Sequence, residues 1–208
     1  MARFGPDTAT CEVFTFREGV LAAVGHDLKL RPERFEIEAG GSSVQARFDA
    51  GSLRVVAAMR GGREDPGSLS DRDRREIERS CADQVLEARR FPEISFSSNE
   101  VRPGAVRGTL VLHGRELAGE LAIRREGDRA VAELEIDLRR FEIRPYTAML
   151  GALRVSVVRA ILNCRISARA RDVSKPMPTA APPSAAPFRK VRRFMEPPGC
   201  LRGEHSRV

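Results

Sequence analysis

Histidines are the residues of this 208-residue chain best suited to acid–base or headgroup chemistry, and it has three of them. The imidazole of His26 can donate or accept a hydrogen bond near neutral pH, which suits a polar anchor for a ligand headgroup. His26 and Asp27 are neighbours on a predicted strand and point to opposite faces, so they cannot act as a pair from one side. A structural histidine is the alternative. His113 stands at a predicted hairpin turn, where exposure to solvent is expected.

Catalysis finds little support in the sequence. No Ser/His/Asp or Cys/His set is accompanied by a recognisable flanking motif, and there is no phosphate-binding loop. The carboxylates are plentiful but fall mostly on the polar positions of strands and of one helix. We therefore expect a protein that is not an enzyme and that uses no cofactor.

The four cysteines, Cys11, Cys81, Cys164 and Cys200, are far apart and show no Cys-x-x-Cys or Cys/His spacing. Neither a metal site nor a disulfide framework is expected from this pattern. In a reducing cytoplasm they would be free thiols. Cys81 and Cys164 fall on apolar faces and are expected to act as small core residues.

The positive charge of the chain is concentrated at its end. From Lys175 onward the chain has seven basic residues and two acidic ones, so this segment holds +5 of the net charge of +7. Residues 1–172 are predicted to form one domain with interspersed charges, which argues against a broad nucleic-acid surface. No run is apolar enough to span a membrane and the N-terminus lacks a signal-like apolar region, so a cytoplasmic location is expected.

Residues 173–208 are predicted to be a disordered tail rich in proline, alanine and basic residues. Residues 175–187 read as an extended linker, and residues 188–195 interleave four cations with apolar side chains. That spacing is compatible with weak contact with an anionic membrane surface and less so with nucleic acid. Absence of any specific partner is the alternative, and a homodimer through the domain is left open.

Alternation of apolar and polar residues predicts short strands through most of the domain, with one helix among them. The helix begins at the Ser70-Asp-Arg-Asp73 cap, carries the apolar stripe Ile77, Cys81, Val85 and Ala88, and ends before Pro92. Two hairpins are predicted, turning at residues 113–115 and 126–128. Residues 61–67 and 141–153 are predicted to be irregular. The helix is expected to pack on the strands as a lid or plug.

The pattern predicts an all-β fold, an antiparallel β-barrel of about eight strands with the amphipathic helix inserted, because closure removes exposed sheet edges. Small residues such as Ala46, Gly108, Gly119 and Ala132 alternate with large ones at inward positions. They either leave room for a ligand or form the taper of a solid core. The residues predicted to line the interior are Val24, His26, Leu28, Phe35, Ile37, Ala46, Phe48, Phe96, Leu110, Leu121, Leu134, Ile136 and Tyr146.

Three segments carry a family resemblance: Arg90-Phe-Pro-Glu-Ile-Ser-Phe-Ser-Ser98 after the helix, Val106-Arg-Gly-Thr-Leu-Val-Leu-His-Gly114, and Phe141-Glu-Ile-Arg-Pro-Tyr-Thr-Ala-Met-Leu-Gly151. In order and spacing they resemble the YceI-like family of lipid-binding proteins over most of residues 11 to 170. The resemblance implies a lipocalin-like barrel that encloses an amphiphilic lipid, such as a polyisoprenoid, an isoprenoid quinone or a fatty acyl chain. Arg144, Tyr146 and Arg154 would then flank the barrel mouth, where Tyr146 either holds a headgroup or simply packs on the barrel.

Two functions from different classes follow. In the first, the domain binds, sequesters or carries a hydrophobic chain, and replacement of Ala46, Gly108 or Ala132 by Phe abolishes binding without unfolding the protein. In the second, side chains fill the barrel, which serves as a structural or stress-associated interaction domain.

Overall fold

The computed structural model describes residues 1–18, 27–144, 146–148 and 153–167. In these ranges the chain forms thirteen strands, and helical structure is confined to one α-helix, one π-helical turn and two 3-10 turns. The strands are β1 (Ala2–Phe4), β2 (Ala9–Glu18), β3 (Asp27–Pro32), β4 (Phe35–Gly40), β5 (Ser43–Asp49), β6 (Leu53–Arg60), β7 (Arg63–Asp65), β8 (Glu93–Arg102), β9 (Ala105–Leu112), β10 (Arg115–Glu126), β11 (Arg129–Asp137), β12 (Tyr146–Ala148) and β13 (Leu153–Ser167). The helix α1 (Asp71–Ser80) continues into the π turn Cys81–Val85, and the 3-10 turns are Ala50–Ser52 and Leu138–Phe141.

All strands belong to one curled antiparallel sheet, which confirms the all-β, lipocalin-like class. The strand order is β1-β4-β5-β8-β9-β10-β11-β13-β2-β3-β6-β7, and β12 pairs with β13. The predicted count of about eight was too low. The three-residue strands β1, β7 and β12 are too short to show alternation, and β7 and β12 lie in segments predicted to be irregular.

Both predicted hairpins are confirmed. Strands β9 and β10 pair from Leu112 and Arg115 at the turn to Ala105 and Ala122 at the far end. The two turn residues, His113 and Gly114, have positive φ angles of 52° and 71°, which a tight two-residue hairpin turn requires. Strands β10 and β11 pair in the same way across residues 127 and 128.

A compact corner joins strands that are distant in the sheet. The Asp49 side chain accepts a hydrogen bond from the Gly51 amide at 2.8 Å and so begins the turn from β5 to β6. Ser52, fully buried, accepts from the Glu33 amide at 3.0 Å through its carbonyl and from the Arg34 amide at 3.2 Å through its hydroxyl. Because β3 and β6 lie at one end of the sheet and β4 and β5 near the other, this corner curls the sheet on itself.

Helix α1 protects a sheet edge. Its capping box is present as predicted, with the Ser70 hydroxyl accepting from the Asp73 amide and the Asp73 carboxylate accepting from the Ser70 amide. The Glu78 carboxylate accepts from the Val55 amide at 2.8 Å, and Arg74 donates to the Val56 carbonyl at 2.8 Å. These side chains satisfy backbone groups of β6 that no strand pairs, so the helix does cover the strands, but through polar contacts. The α-helical part ends earlier than predicted, at Ser80.

One buried cluster forms the inner side of the sheet. It draws buried residues from β1, β2, β4, β5, β8, β9, β11 and β13 and from the turns at Ala50, Leu86, Leu138 and Phe141, and β10 packs against it with partly buried residues. Val85 and Ala88 of the predicted helical stripe pack against it. The inner face is therefore continuous and apolar across most of the sheet.

Some predictions fall on residues outside the described ranges. The strand predicted from Leu21 to Leu30 can be compared only from Asp27 onward, where β3 begins. The tail at 173–208, with its proposed membrane contact, also lies outside them. In the part of the chain that the structure describes, every helix is too short or too polar to cross a bilayer.

Candidate functional site

The inner face of the curled sheet brings together most of the residues predicted to line an interior. Six of them are buried in the common cluster: Ile37, Ala46, Phe48, Phe96, Leu110 and Leu134. Three more, Phe35, Leu121 and Ile136, are partly buried against it. The longer strands that reach this face contribute alternate residues to it, as the pleat of a strand requires.

Four predicted lining residues are not part of this cluster as described. Leu28 is partly buried on β3 opposite Thr15 and Ala58. Val24 and His26 lie outside the described residues. Tyr146 is described only through its backbone, which pairs with Val155 in β12. The headgroup hypotheses for His26 and Tyr146 therefore stay predictions.

Phe96 occupies the space that the small residues of β9 and β10 were predicted to leave. A Cβ atom on Gly108 would lie 2.6 Å from the Phe96 ring and 2.8 Å from the Ser98 Cα atom. A Cβ on Gly119, the register partner of Gly108, would lie 3.8 Å from the same ring. The prediction that Gly108→Phe leaves the fold intact is therefore wrong, because backbone and ring already fill that position.

Cys11 and Cys164 form a disulfide on the inner face, which contradicts the expectation that the cysteines are free and that no disulfide forms. The two residues are 153 positions apart in sequence, but β2 and β13 are neighbours in the sheet and place them directly opposite each other. Their Cα atoms are 4.1 Å apart. Nothing in the sequence indicates the register that pairs the two cysteines.

Cys81 behaves differently. It is a free, partly buried thiol. Burial and the neighbouring charge of Glu78 raise the pKa of the Cys81 thiol to about 11. The thiolate is therefore scarce at neutral pH, so Cys81 is a poor nucleophile. As predicted, Cys164 is buried in the core, although as half of the disulfide.

The outer face of the same two strands carries a buried carboxylate that the sequence analysis did not single out. Glu12 is 4% exposed and pairs with Lys29 at 2.9 Å and with Arg31 and Arg165 at 3.2 Å each. Burial alone would raise the pKa of Glu12, but hydrogen bonds and charges from the three cations outweigh it and lower the pKa. Glu12 thus holds β2, β3 and β13 together from outside.

His113 is not exposed, in contrast to the prediction. Its side chain is 12% exposed, with Nδ1 3.2 Å from the Phe141 carbonyl oxygen and Nε2 3.1 Å from the Glu87 carboxylate. The Phe91 ring lies 4.5 Å from the imidazole, centroid to centroid. His113, Glu87 and Glu142 all have positive φ, so three turns with left-handed residues meet here. The imidazole contacts the other two turns through both of its nitrogen atoms, so the role of His113 is structural.

A surface notch of about 420 Å³ lies beside His113 and is lined by Asp83, Glu87, Arg89 and Arg90. Its walls are charged, so it does not suit an apolar chain. Within the described residues, no three of the histidine, cysteine and acidic side chains come together as a metal ion would require. Among the described residues, one continuous apolar cluster lies on the inner face of the sheet.

The family follows from comparison with known domains. The sequence model of the YceI-like domain matches residues 7–161. The chain belongs to the YceI-like family. The resemblance predicted from the three motifs is thereby confirmed. No curated protein matches this YceI-like chain significantly in sequence.

Two solved structures are similar to this YceI-like chain at low sequence identity. BcnA from Burkholderia cenocepacia is 12% identical, with a TM-score of 0.50 over 76% of this chain and 94% of that chain. A polyisoprenoid binding domain from Saccharophagus degradans, described as implicated in plant cell wall breakdown, is also 12% identical, with a TM-score of 0.49 over 80% of this chain and 99% of that chain. At this level of identity the likeness to BcnA concerns the fold alone.

Proposed function

We propose that the domain binds, sequesters or transports an amphiphilic lipid with a long hydrophobic chain, without catalysing a reaction. The observation that carries the proposal is the continuous apolar inner face, which runs from β4 through β11 to β13 and β2. Each methylene buried against such a surface contributes about 0.8 kcal/mol, so a chain of several isoprene units can be held without charged contacts. Membership of the YceI-like family supports the same ligand class.

Native mass spectrometry of the protein purified without detergent tests this proposal directly. We expect a discrete adduct that extracts into organic solvent as a polyisoprenoid, an isoprenoid quinone or an acyl lipid. Incubation of the stripped protein with geranylgeraniol should regenerate an adduct of defined mass. A clean apo mass that does not change with quinones, polyprenols or fatty acids would contradict the proposal.

A matched pair of variants locates the ligand. Ala132 faces inward, packed against the core cluster, whereas Ala122 on the neighbouring strand faces outward and is exposed. Ala132→Phe should weaken geranylgeraniol binding about tenfold or more, because the ring displaces at least two methylenes of the chain. Ala122→Phe should bind like the original protein. Thermal melting of both variants separates loss of binding from loss of fold.

One observation favours a second candidate function. The Phe96 ring covers both Gly108 and Gly119, so side chains fill this part of the interior. If the filling extends along the whole inner face, the domain is a structural or interaction module and not a carrier. Equal binding by Ala132→Phe and Ala122→Phe, or binding by neither them nor the original protein, would favour this candidate.

A further inference from the structure

The pairing of β2 with β13 is the seam that joins two parts of the sheet. On one side of it lie β13 and the strands from β1 to β11 in sheet order, and on the other lie β2, β3, β6 and β7. Apart from this seam, the described links between the two parts are the turn from β1 to β2 at residues 5–8, the corner formed by residues 33–34 and 50–52, and the segment that carries α1. Separation of β2 from β13 would open the inner face along one line.

The disulfide lies near one end of this seam. The pairing there runs from Ala9 opposite Ile166, through Thr10 opposite Arg165, to Cys11 opposite Cys164. Fraying of a strand pair starts at its end. A covalent bond at the third pair therefore stops fraying before it reaches the rest of the seam.

The disulfide also lies on the inner face of the sheet. Cys11 is fully buried and Cys164 is 4% exposed, and both belong to the same cluster as Ala9 and Ala160. Ala132, opposite Cys164 on β11, packs against that cluster too. The side chains on the same face beside the sulfur atoms are small on one side, at Ala9 and Ala132, and large on the other, at Val13, Leu162 and Ile166.

We propose that the Cys11–Cys164 disulfide is a redox latch that controls retention of the bound chain. The inference rests on the proposed lipid-binding function. In the oxidised protein the latch holds the seam closed around the chain. In the reduced protein the end of the seam opens more often, and the chain leaves faster.

The redox step requires a dithiol as reductant. One thiolate of the dithiol attacks Sγ of Cys11 or Cys164, breaks the protein disulfide and forms a mixed disulfide. Its second thiolate then attacks the mixed disulfide and releases the protein sulfur. Both protein sulfurs end as protonated thiols, and the dithiol becomes a cyclic disulfide, so two electrons and two protons pass to the protein.

Because the two sulfur atoms are buried, their reduction depends on whether the lipid is bound. A dithiol reaches the two sulfurs only when the seam opens, because neither is more than 4% exposed. A chain in the interior opposes opening and therefore slows reduction. By thermodynamic linkage, the factor by which reduction weakens lipid binding equals the factor by which the lipid disfavours reduction.

The test compares geranylgeraniol binding by the full chain before and after treatment with dithiothreitol. We expect reduction to weaken binding about tenfold, within the range of coupling found between sites in proteins. Cys81→Ala should respond to the reductant like the original protein. The Cys11→Ala/Cys164→Ala double variant should bind weakly and identically with and without reductant.

Two further measurements keep the latch falsifiable. Alkylation of the denatured, unreduced protein should label two of its four cysteines, and amide hydrogen exchange at residues 9–11 and 164–166 should accelerate on reduction. Four labelled cysteines, unchanged exchange, or binding within twofold in both redox states would each overturn the latch while lipid binding stands. Absence of geranylgeraniol binding in both states would overturn the proposed function and the latch with it.

Discussion

The β9–β10 hairpin and the β2–β13 seam are both long antiparallel pairings, yet they are held together by different means. The hairpin strands are joined by the two-residue turn at His113 and Gly114. The seam joins residues about 150 positions apart, and it carries a disulfide on its inner face and the Glu12 ion cluster on its outer face. A pairing closed by a short turn has little loop entropy to overcome, whereas a distant one needs additional stabilisation.

The packing of side chains also differs between the two regions. The hairpin has glycines opposite each other, and the Phe96 ring from β8 fills the space above them. The seam has both small and large apolar residues on its inner face beside the disulfide. The hairpin region therefore depends on close shape complementarity, and the seam depends on specific chemical bonds.

The largest effect is expected where shape complementarity is tightest. Gly108→Ala should destabilise the protein by about 3 kcal/mol or prevent folding, because the added methyl meets the Ser97 carbonyl and the Ser98 Cα atom as well as the Phe96 ring. Urea denaturation followed by circular dichroism measures this change.

The matched control is Gly119→Ala on the paired strand. Its Cβ would lie between 3.6 and 3.9 Å from its nearest neighbours, which are ordinary contacts. We expect a change within about 1 kcal/mol. Equal destabilisation by the two substitutions would contradict the close packing at Gly108.

The second effect concerns the outer face of the seam. Glu12→Gln keeps the size of the side chain but leaves Lys29, Arg31 and Arg165 without their carboxylate, and it should cost about 2 kcal/mol at neutral pH. Glu133→Gln is the control, since that partly exposed carboxylate pairs with the partly exposed Arg124 and should contribute less than about 1 kcal/mol.

Acid denaturation tests whether the charge of Glu12 is the stabilising feature. The folded state lowers the pKa of Glu12, so its stabilising effect is complete above the pKa of the unfolded chain and is lost as the pH falls through the folded-state value. The difference in stability between the original protein and Glu12→Gln should therefore shrink on acidification. A difference independent of pH would show that the charge of Glu12 is not the cause.

The smallest effect belongs to the hairpin turn. His113→Ala removes the contacts with Glu87 and Phe141 but keeps a positive φ, whereas His113→Gly removes the same contacts and relieves the backbone. We expect His113→Ala to cost about 1.5 kcal/mol and His113→Gly about 1 kcal/mol less than that. If the glycine variant is the less stable of the two, backbone strain at His113 is not significant.

Alternation and turn residues in the sequence were sufficient to predict the local features. The two hairpins and the Ser70 cap are as predicted, because each depends on neighbours within a few positions. Six of the residues predicted to line the interior are buried, and their contact with a ligand stays a prediction. Three-residue strands such as β7 and β12 escaped prediction because so short a segment shows no periodicity. The exposure expected for His113 was wrong because Glu87 and Phe141 reach it from other turns.

By itself the sequence determined that this chain forms antiparallel strands with one apolar face, one capped helix and a YceI-like order of motifs. Only the tertiary structure decided that Cys11 meets Cys164, that Glu12 is enclosed by three cations and that Phe96 covers two glycines. The physical reason is register. Alternation assigns a residue to a face, but its partner across a strand pair depends on how distant strands align, and a shift of one residue would change every such contact.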